Sequence, residues 1–427
     1  MNSPQFSSWP EWLACLAVAG VAIFWSGKRG TAAAILIAVV AAPWIFGTAN
    51  GLLAPLALGG VIWFLMDRLK KNWRWLGKFT AIGGAMGTAL LCWAFPLPKP
   101  PPLTGPYQVG TFTLEIPAGG ASPRLVAQVW YPSDEIGDKP AVPWLPDKAL
   151  APSFPYHRLA FAKAHARKNA PLAKIPDPLP VIFYEHSWMG HRAENIAQVE
   201  SLASEGFVVV AVDHPGQAER ILYQDGSVVM GRYLEPLDFS SNKSVGDFAA
   251  NARQCFAERL EQVERVRLAL AGDAAGILSE KLRLDRAGVF GFSFGGSAAI
   301  QLCAKNPAFA AGANEDGLFL ENDFPRGPFL FFDQETPAWL ESARKPDENA
   351  GQILTREAEA RIQDALKPPH RDRLILDGTR HLSFSDRIFA SPIPRLARVG
   401  TRPAKEVHDI LCRRLVDFFK TELLNSE

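Results

Sequence analysis

One serine of this chain lies in a sequence typical of a catalytic nucleophile. Ser293 is the middle residue of the G-x-S-x-G segment Gly291–Gly295. The apolar segment Ala287–Phe290 precedes it and the small residues Gly296–Ala299 follow it, as expected of a strand that turns sharply into a helix. In such a turn the glycines avoid clashes and the serine hydroxyl stands exposed above the sheet. The alternative is a glycine-rich turn with an incidental serine, but the strand-turn-helix context favours the nucleophile.

A serine hydroxyl needs a histidine to remove its proton and an acid to orient that histidine. Three histidines follow Ser293 in the chain. His381 comes just after a predicted strand and a glycine turn, where the base belongs in the chain order serine, acid, histidine. His370 precedes that strand and His408 lies within the last predicted helix. We expect both of these histidines at the surface.

The residues alone leave the acid open. Asp316 follows one predicted strand and Asp333 follows the next. Asp377 is too close to His381 in sequence to reach it from an opposing loop. In most hydrolases with this chain order the acid follows the later strand, which keeps Asp333 as an alternative to Asp316.

Catalysis of acyl transfer also requires two backbone N–H groups that stabilise the negative oxygen of the intermediate. One belongs to the residue after the serine, here Phe294. The other is expected from the loop Tyr184–Gly190. We interpret His186 in that loop as a structural histidine, because the sequence contains no H-E-x-x-H and no helical histidine pair. No metal and no cofactor are predicted.

Beyond residue 106 the chain alternates short apolar segments with amphipathic ones. Val181–Tyr184, Phe207–Val212 and Gly288–Phe292 are typical of strands buried on both faces. Val245–Ala271 and Arg402–Leu424 predict long helices. This alternation predicts a mostly parallel sheet with helices on both faces. With the nucleophile turn, the expected fold is that of an α/β-hydrolase.

The first hundred residues have a different composition. The whole chain of 427 residues has 45 basic and 44 acidic side chains, so it lacks the positive charge of a nucleic-acid binder. Residues 1–100 hold eight of the 12 tryptophans but only ten charged side chains. Their apolar stretches predict a bundle of about four transmembrane helices. These predicted spans are Trp12–Trp25, Ala32–Phe46, Leu52–Met66 and Thr80–Phe95.

Basic residues in the short loops predict how this anchor is oriented. Lys28 and Arg29 lie between the first two stretches, and five basic residues lie between 68 and 78. The positive-inside rule places both loops in the cytoplasm and everything after Phe95 outside. The predicted organisation is a multi-span anchor at 1–95, a proline-rich linker at 96–106 and a catalytic domain at 107–427. In a bacterial inner membrane the catalytic domain would face the periplasm.

Several segments resemble the platelet-activating factor acetylhydrolase family, in its plasma and type II intracellular branch. The resemblance spans roughly residues 104 to 390, and its most specific parts are the G-P-Y-x-V-G opening and the spacing of 23 between Ser293 and Asp316. The matching segments are Gly105–Gly110, the His186 loop, Gly206–His214, Gly291–Gly296, and His381 with Phe384 and Asp386.

The resemblance implies both a site and a chemistry. In that family the acid follows the earlier strand, which favours Asp316 over Asp333. Its members need no metal and release short or oxidised acyl chains from phospholipid esters. The implied site comprises the nucleophile Ser293, the base His381, the acid Asp316, and the oxyanion-hole amides of Trp188 and Phe294.

The chain departs from the family pattern at two residues of the site. Ser187 replaces the glycine after the loop histidine, which affects the second oxyanion donor, and Phe292 replaces the histidine before the nucleophile. An irregular excursion at 132–180 resembles an insertion in the family. Its large apolar residues either line an acyl pocket, contact the membrane, or cover the core of the domain. They are Trp144, Leu145, Phe154, Tyr156 and Phe161.

Taken together, the residues favour a membrane-anchored serine ester hydrolase that acts on short-chain or modified phospholipid esters. The expected partners are an ester or lipid substrate and the lipid bilayer. Two alternatives stay open: a peptidase or thioesterase that uses the same residues, and a non-catalytic protein whose hydrolase-like domain binds a ligand.

Overall fold

The chain divides into two units of unequal size. The computed structural model describes residues 6–7, 58, 62, 74–134, 137, 139–145, 156–176, 178–232, 238–367 and 371–424. The smaller unit comprises Met1–Lys99, Ala151–Ala162 and Phe389–Ala397. The larger unit comprises Pro100–Leu150, Lys163–Ile388 and Arg398–Glu427.

The smaller unit is organised around one long helix, α1 (Arg74–Ala94). The short strand β1 (Phe6–Ser7) pairs antiparallel with β2 (Leu97–Pro98). Cys92 and Phe95, at the end of α1, pack with Ile393, and the Ser391 hydroxyl donates a hydrogen bond to the carbonyl of Ala94. The unit also contains a 3₁₀-helix at Tyr156–Phe161 and a single helical turn at Pro394–Ala397.

The fourth predicted transmembrane span falls within α1. Among the helices that the structure describes, none combines the length and the apolar character needed to cross a membrane. The prediction of a span over Thr80–Phe95 is therefore not supported. The helix extends back to Arg74 and includes Lys78 and several glycines, which reduce its mean hydropathy. The three other predicted spans lie outside the described residues.

A ten-stranded sheet forms the larger unit. The strands are β3 (Gln108–Ile116), β4 (Leu125–Ser133), β5 (Ala141–Pro143), β6 (Lys163–Lys168), β7 (Leu179–Glu185), β8 (Val208–Asp213), β11 (Leu282–Phe292), β12 (Phe309–Glu315), β13 (Phe329–Gln334) and β14 (Arg371–Leu376). They run in the order β14-β13-β12-β11-β7-β8-β4-β3-β6-β5. The six strands from β14 to β8 are parallel to one another, and β4 is antiparallel to both of its neighbours. A separate hairpin pairs β9 (Arg220–Leu222) with β10 (Val228–Met230).

Helices cover both faces of this sheet, as the sequence predicts. They are α2 (Ile196–Ser204), α3 (Asn242–Leu270), α4 (Phe294–Lys305), α5 (Ala350–Ala365) and α6 (Ala404–Phe419), with 3₁₀-helices at Asp273–Leu278, His381–Phe384 and Asp386–Phe389, a helical turn at Ala338–Glu341 and a π-helical turn at Lys420–Leu424.

The two sets of helices pack on alternate residues of the same strands. Val289 of β11 belongs to the core that α3, α4 and α5 share with the sheet. The neighbouring Phe290 contacts Phe419 of α6 on the other face, with ring centroids 6.5 Å apart. Successive side chains of a strand point to opposite faces, so the central strands are buried on both sides.

Candidate active site

Ser293 lies at the junction of β11 and α4, where the chain turns abruptly. Its backbone has φ 58° and ψ −122°, a region that is costly for a residue other than glycine. The Ser293 amide donates a hydrogen bond of 2.8 Å to the Glu315 carbonyl at the end of β12, which fixes this conformation. Gly295 is needed for the close approach of β7, because a Cβ there would lie 2.0 Å from the Glu185 carbonyl oxygen. This sharp turn from β11 into α4, the nucleophile elbow, therefore holds the serine at the carboxyl end of the parallel strands.

Ser293, His381 and Asp316 form a hydrogen-bonded chain. His381 Nε2 lies 2.9 Å from Ser293 Oγ, and His381 Nδ1 lies 2.6 Å from Asp316 Oδ2. The His381 side chain is 43% exposed, whereas that of Asp316 is 6% exposed. A proton on Nδ1 satisfies the buried carboxylate and leaves Nε2 to accept the serine proton.

Asp316 is itself held firmly by the neighbouring strand. It adopts a positive φ of 56° directly after β12. Its amide donates a 2.7 Å hydrogen bond to the Phe332 carbonyl, and its Oδ1 accepts one of 2.9 Å from the Gln334 amide. Both partners belong to β13, so the register of β12 and β13 sets the direction of the carboxylate.

The alternative acid, Asp333, makes a different contact. Its Oδ2 accepts a hydrogen bond of 2.7 Å from Nε of Arg373 on β14. The two other branches of the Arg373 guanidinium bind Glu359 of α5, at 2.6 and 2.8 Å. The structure thus brings Asp316, and not Asp333, to His381.

One of the two remaining histidines departs from the prediction. His408 was expected at the surface, but it is only 4% exposed and lies on the buried face of α6. Its ring lies 3.5 Å from the Cys412 sulfur one turn later. Burial lowers the pKa of His408 to about 4, so the ring is neutral at physiological pH and packs as a core residue. His370 lies outside the described residues.

The loop after β7 forms a tight turn that carries Trp188. The Gly190 amide donates a hydrogen bond of 3.0 Å to the Ser187 carbonyl, and Met189 has a positive φ of 55°. Glu194 stabilises the start of this turn through two hydrogen bonds. Its Oε2 accepts one of 2.8 Å from the Ser187 amide, and its Oε1 accepts one of 2.6 Å from the Ser187 hydroxyl. The departure at Ser187 therefore adds a hydroxyl contact to Glu194 that a glycine would lack.

The indole of Trp188 packs edge-on against the Phe294 ring, with centroids 5.1 Å apart. Trp188 and Phe294 both line the cavity at Ser293, where the predicted oxyanion hole belongs. Phe292, the second departure, packs against the base, with its ring centroid 4.9 Å from that of His381. Aromatic rings thus flank the serine and the histidine.

A fully buried arginine contacts the loop after β7 and the segment that follows Ser293. Arg259 of α3 donates to the His186 carbonyl at 2.8 Å and to Gln217 Oε1 at 2.9 Å. Its guanidinium also lies 3.3 Å from Glu185 Oε2 and 5.1 Å from the centroid of the Phe294 ring. Arg259 therefore contacts both segments that carry the predicted oxyanion amides.

His186 is a buried structural residue, as the sequence favours. Its Nδ1 lies 2.8 Å from the Ser187 carbonyl, and its Nε2 accepts a hydrogen bond of 3.3 Å from the His214 amide. Burial, with Arg259 nearby, lowers the pKa of His186 well below its usual value, so the ring is neutral. Within the described residues no cluster of histidine, cysteine or acidic side chains is arranged to hold a metal ion.

A cavity of about 420 Å³ opens beside Ser293. The charged residues Asp333, Glu359 and Arg373 form one part of its wall. Most of the remaining wall is apolar and includes Trp188, Phe239, Phe248, Phe294, Leu340 and Ile362. The arrangement suits an acyl group that reaches from the serine into an apolar space with one polar border.

Among the described residues of the excursion at 132–180, none lines this cavity. Trp144 and Leu145 are buried, and the Trp144 Nε1 donates a 2.7 Å hydrogen bond to Asp386 Oδ2. These two residues cover the core and do not line the cavity at Ser293. Tyr156 is buried in the smaller unit, where its hydroxyl donates to the Ala397 carbonyl at 3.1 Å. Phe154 lies outside the described residues.

Two functional features were missed in the sequence. Arg259 does leave a signal, because it interrupts the apolar face that Phe256, Val263 and Val266 give to the predicted helix. A buried charge at such a position indicates a specific partner. Glu194 leaves none, because its contact with Ser187 depends on the geometry of the turn between them.

Comparisons with known proteins agree with this fold. A sequence model of platelet-activating factor acetylhydrolase, isoform II, matches residues 95–227, and one of the dienelactone hydrolase family matches residues 166–324. Between them the matched regions contain Trp188, Ser293 and Asp316, and His381 lies beyond both. Platelet-activating factor acetylhydrolase of Cavia porcellus is 25% identical over 367 residues, which cover 75% of this chain and 77% of the relative.

A solved structure has the same architecture. The ferulic acid esterase of Streptomyces cinnamoneus superimposes with a TM-score of 0.57 and 22% identity, over 77% of this chain and 93% of that one. This likeness supports the fold alone. With the elbow at the end of β11, it identifies the larger unit as an α/β-hydrolase fold. The sequence similarities support a hydrolase of the platelet-activating factor acetylhydrolase and dienelactone hydrolase type.

Proposed function

We propose that this protein hydrolyses carboxylic esters through a covalent acyl-enzyme at Ser293. The observation that carries the proposal is the hydrogen-bonded chain from Ser293 Oγ through His381 to Asp316, with distances of 2.9 and 2.6 Å. The strained backbone of Ser293 supports it further, because such strain concentrates at functional sites. The matching esterase and hydrolase families point to the same chemistry.

The first half of the reaction transfers the acyl group to the enzyme. Ser293 Oγ attacks the ester carbonyl carbon while His381 Nε2 takes its proton. The resulting imidazolium is stabilised by Asp316 through Nδ1. The tetrahedral intermediate then collapses, the bond to the alcohol oxygen breaks, and His381 returns the proton to the leaving alkoxide.

The second half releases the acid. Water attacks the carbonyl carbon of the acyl-serine while His381 Nε2 takes one of its protons. Collapse of the second intermediate breaks the bond to Oγ, which regains the proton from His381. The amides of Trp188 and Phe294 are the proposed donors to the oxyanion in both intermediates, and one such donor contributes roughly 3–4 kcal/mol in the transition state.

Short-chain or modified phospholipid esters are the proposed substrate class. The cavity of about 420 Å³ is large enough for a short acyl group and is mostly apolar. The similarity to the acetylhydrolase of Cavia porcellus supports a glycerophospholipid ester. A proposed location at a membrane fits such substrates and rests on the apolar stretches between residues 12 and 66. In the proposed orientation the hydrolase unit faces the periplasm. Resistance of the full chain to extraction by alkaline carbonate would test the membrane location.

The decisive experiment is labelling of the full-length protein with a fluorophosphonate, together with turnover of p-nitrophenyl acetate. The wild type should be labelled and active, and Ser293→Ala should lose both properties. Ser227→Ala, which alters an exposed serine of the β9–β10 hairpin, serves as the control. A folded wild type that is neither labelled nor active would overturn the proposal and favour a binding protein.

A further inference from the structure

We propose that the cavity selects acyl groups whose far end carries a hydrogen-bond donor or a positive charge, and that Asp333 receives this end. The inference rests on the proposed ester hydrolysis and makes its substrate class more specific. It also predicts that acyl chains ending in a carboxylate are disfavoured.

The argument begins with the charges in the cavity wall. Asp333, Glu359 and Arg373 lie there together, two carboxylates with one guanidinium. When all three groups are ionised their charges sum to one negative charge. Burial raises the pKa of Asp333 to about 7, so this ionised state dominates above that pH. The three side chains are between 12% and 25% exposed, so bulk water screens this charge weakly.

The positive charge of Arg373 is already paired with both carboxylates of the wall, which engage three of its five N–H groups. Its Nε donates to Asp333 Oδ2 at 2.7 Å, while its Nη1 and Nη2 hold the two oxygens of Glu359 at 2.6 and 2.8 Å. This fork-to-fork pair with Glu359 is the strong bidentate geometry of arginine. A substrate carboxylate therefore meets an arginine whose charge is already balanced by Asp333 and Glu359.

Asp333 retains capacity to accept. An ionised carboxylate has about four lone-pair sites on its two oxygens. Within the part of the chain that the structure describes, the hydrogen bond to the Asp333 side chain comes from Arg373 and uses Oδ2. Oδ1 remains for a ligand in the cavity that Asp333 lines.

Asp333 is also close to the reacting centre. The next residue, Gln334, donates its amide to Oδ1 of Asp316, the acid that holds His381. Ser293, His381, Gln334 and Asp333 all line the one cavity. An acyl group on Ser293 that enters this cavity contacts the apolar wall along its length and meets Asp333 at the polar border.

The cavity should therefore discriminate between substrates by the charge of the group at the far end of the acyl chain. An ammonium gains an ion pair with Asp333 and a hydroxyl gains a hydrogen bond. A carboxylate, in contrast, meets the net negative charge of Asp333, Glu359 and Arg373. A charge-assisted hydrogen bond in such a site corresponds to roughly tenfold or more in kcat/KM.

The test is a set of p-nitrophenyl esters that differ only at the end of the acyl chain: hexanoate, 6-hydroxyhexanoate, 6-aminohexanoate and the half ester of adipate. The quantity measured, at about pH 8 and therefore above the raised pKa of Asp333, is the ratio of kcat/KM for the amino ester to that for the carboxylate ester. We expect this ratio to be at least about tenfold higher in the wild type than in Asp333→Asn, which retains the shape of the side chain and removes its charge. Because the same two esters are measured in both proteins, the difference in their intrinsic reactivity cancels when the two ratios are compared.

Glu341→Gln provides the matched control, because it removes an exposed carboxylate that does not line the cavity. If Asp333→Asn does not fold, Glu359→Gln is the second variant. It removes the other carboxylate charge that is paired with Arg373, so the ratio should fall in this variant too. An equal ratio in the wild type and in the folded variant would overturn the inference. That result differs from failure of the proposed function, in which the wild type would turn over none of the esters and would take no label at Ser293.

Discussion

His381 Nδ1 and Asp316 Oδ2 lie 2.6 Å apart, although Asp316 follows β12 and a second carboxylate, Asp333, lies one strand further along the sheet. The choice between them follows from their partners. Asp316 is held towards His381 by two hydrogen bonds to β13, and Asp333 is held away by Arg373. Asp316 thus contacts His381, while Asp333 is engaged by Arg373.

This relationship predicts unequal effects of two matched substitutions. Asp316→Asn should lower kcat for p-nitrophenyl acetate by about 10⁴-fold, because the amide holds the wrong tautomer of His381. Asp333→Asn should lower it far less, since the acetyl group has no chain to extend towards that side chain. Steady-state kinetics of the two variants side by side provides the measurement. A comparable loss in Asp333→Asn would contradict the assignment.

The contact between Ser187 and Glu194 should affect catalysis more than binding. Ser187→Ala removes the 2.6 Å hydrogen bond to Glu194 and loosens the turn that carries Trp188. We expect kcat to fall by roughly tenfold with KM little changed, below the 10²–10³-fold loss of a whole oxyanion donor. Glu194→Ala removes both contacts of Ser187 and should lose more. A rise in KM at constant kcat would show that this turn serves substrate binding instead.

Much of the fold could be predicted from the sequence because its strands are buried on both faces. Val208–Asp213 is buried throughout, and its first five residues, Val208–Val212, form an uninterrupted apolar segment that is visible without the structure. The elbow was equally visible, since Gly295 is required by contact with the Glu185 carbonyl. Physical constraints that act within a few residues leave a local signal.

The remaining features depend on contacts between distant parts of the chain. The resemblance favoured Asp316, but only the Arg373 contact explains why Asp333 is occupied elsewhere. The strand β6 (Lys163–Lys168) was missed because it alternates charged and small residues at the sheet periphery. The burial of His408 was missed because a single histidine in an amphipathic helix does not reveal which face it occupies.

Arg259 should be essential for stability. Its replacement by methionine leaves Glu185 buried without its cation and the His186 carbonyl without its donor. Loss of one partner of a buried ion pair typically costs 3–5 kcal/mol, so the melting temperature should fall by many degrees. Arg253→Met is the matched control on the same helix, because Arg253 makes an exposed ion pair with Glu321, worth about 0–1 kcal/mol. Equal melting temperatures of the two variants would show that the buried Arg259 contributes no more to stability than the exposed Arg253.

Asp386 should make the folded protein less stable as the pH rises. It lies at the start of α2, where its Oδ2 accepts hydrogen bonds from Trp144 Nε1 at 2.7 Å and from the Ala197 amide at 3.3 Å. Burial raises the pKa of this carboxyl from 3.8 to about 8, and the nearby carboxyl of Glu200 acts in the same direction. The folded state therefore binds a proton between pH 3.8 and about 8 that the unfolded state has released.

The sign and size of this pH effect follow from proton linkage. Because the folded state holds the extra proton, the free energy of unfolding should fall with rising pH by up to ~1.36 kcal/mol per pH unit in this window. Asp386→Asn retains an oxygen for both donors without the titration, so its pH slope should be smaller. Burial also raises the pKa of Glu200, to about 7, and the variant keeps that contribution. The comparison is therefore sharpest between pH 7 and pH 8, measured by chemical denaturation at fixed ionic strength. Parallel curves for the wild type and Asp386→Asn would mean that Asp386 is ionised in the folded protein throughout, stabilised by its two donors and by the amino end of α2.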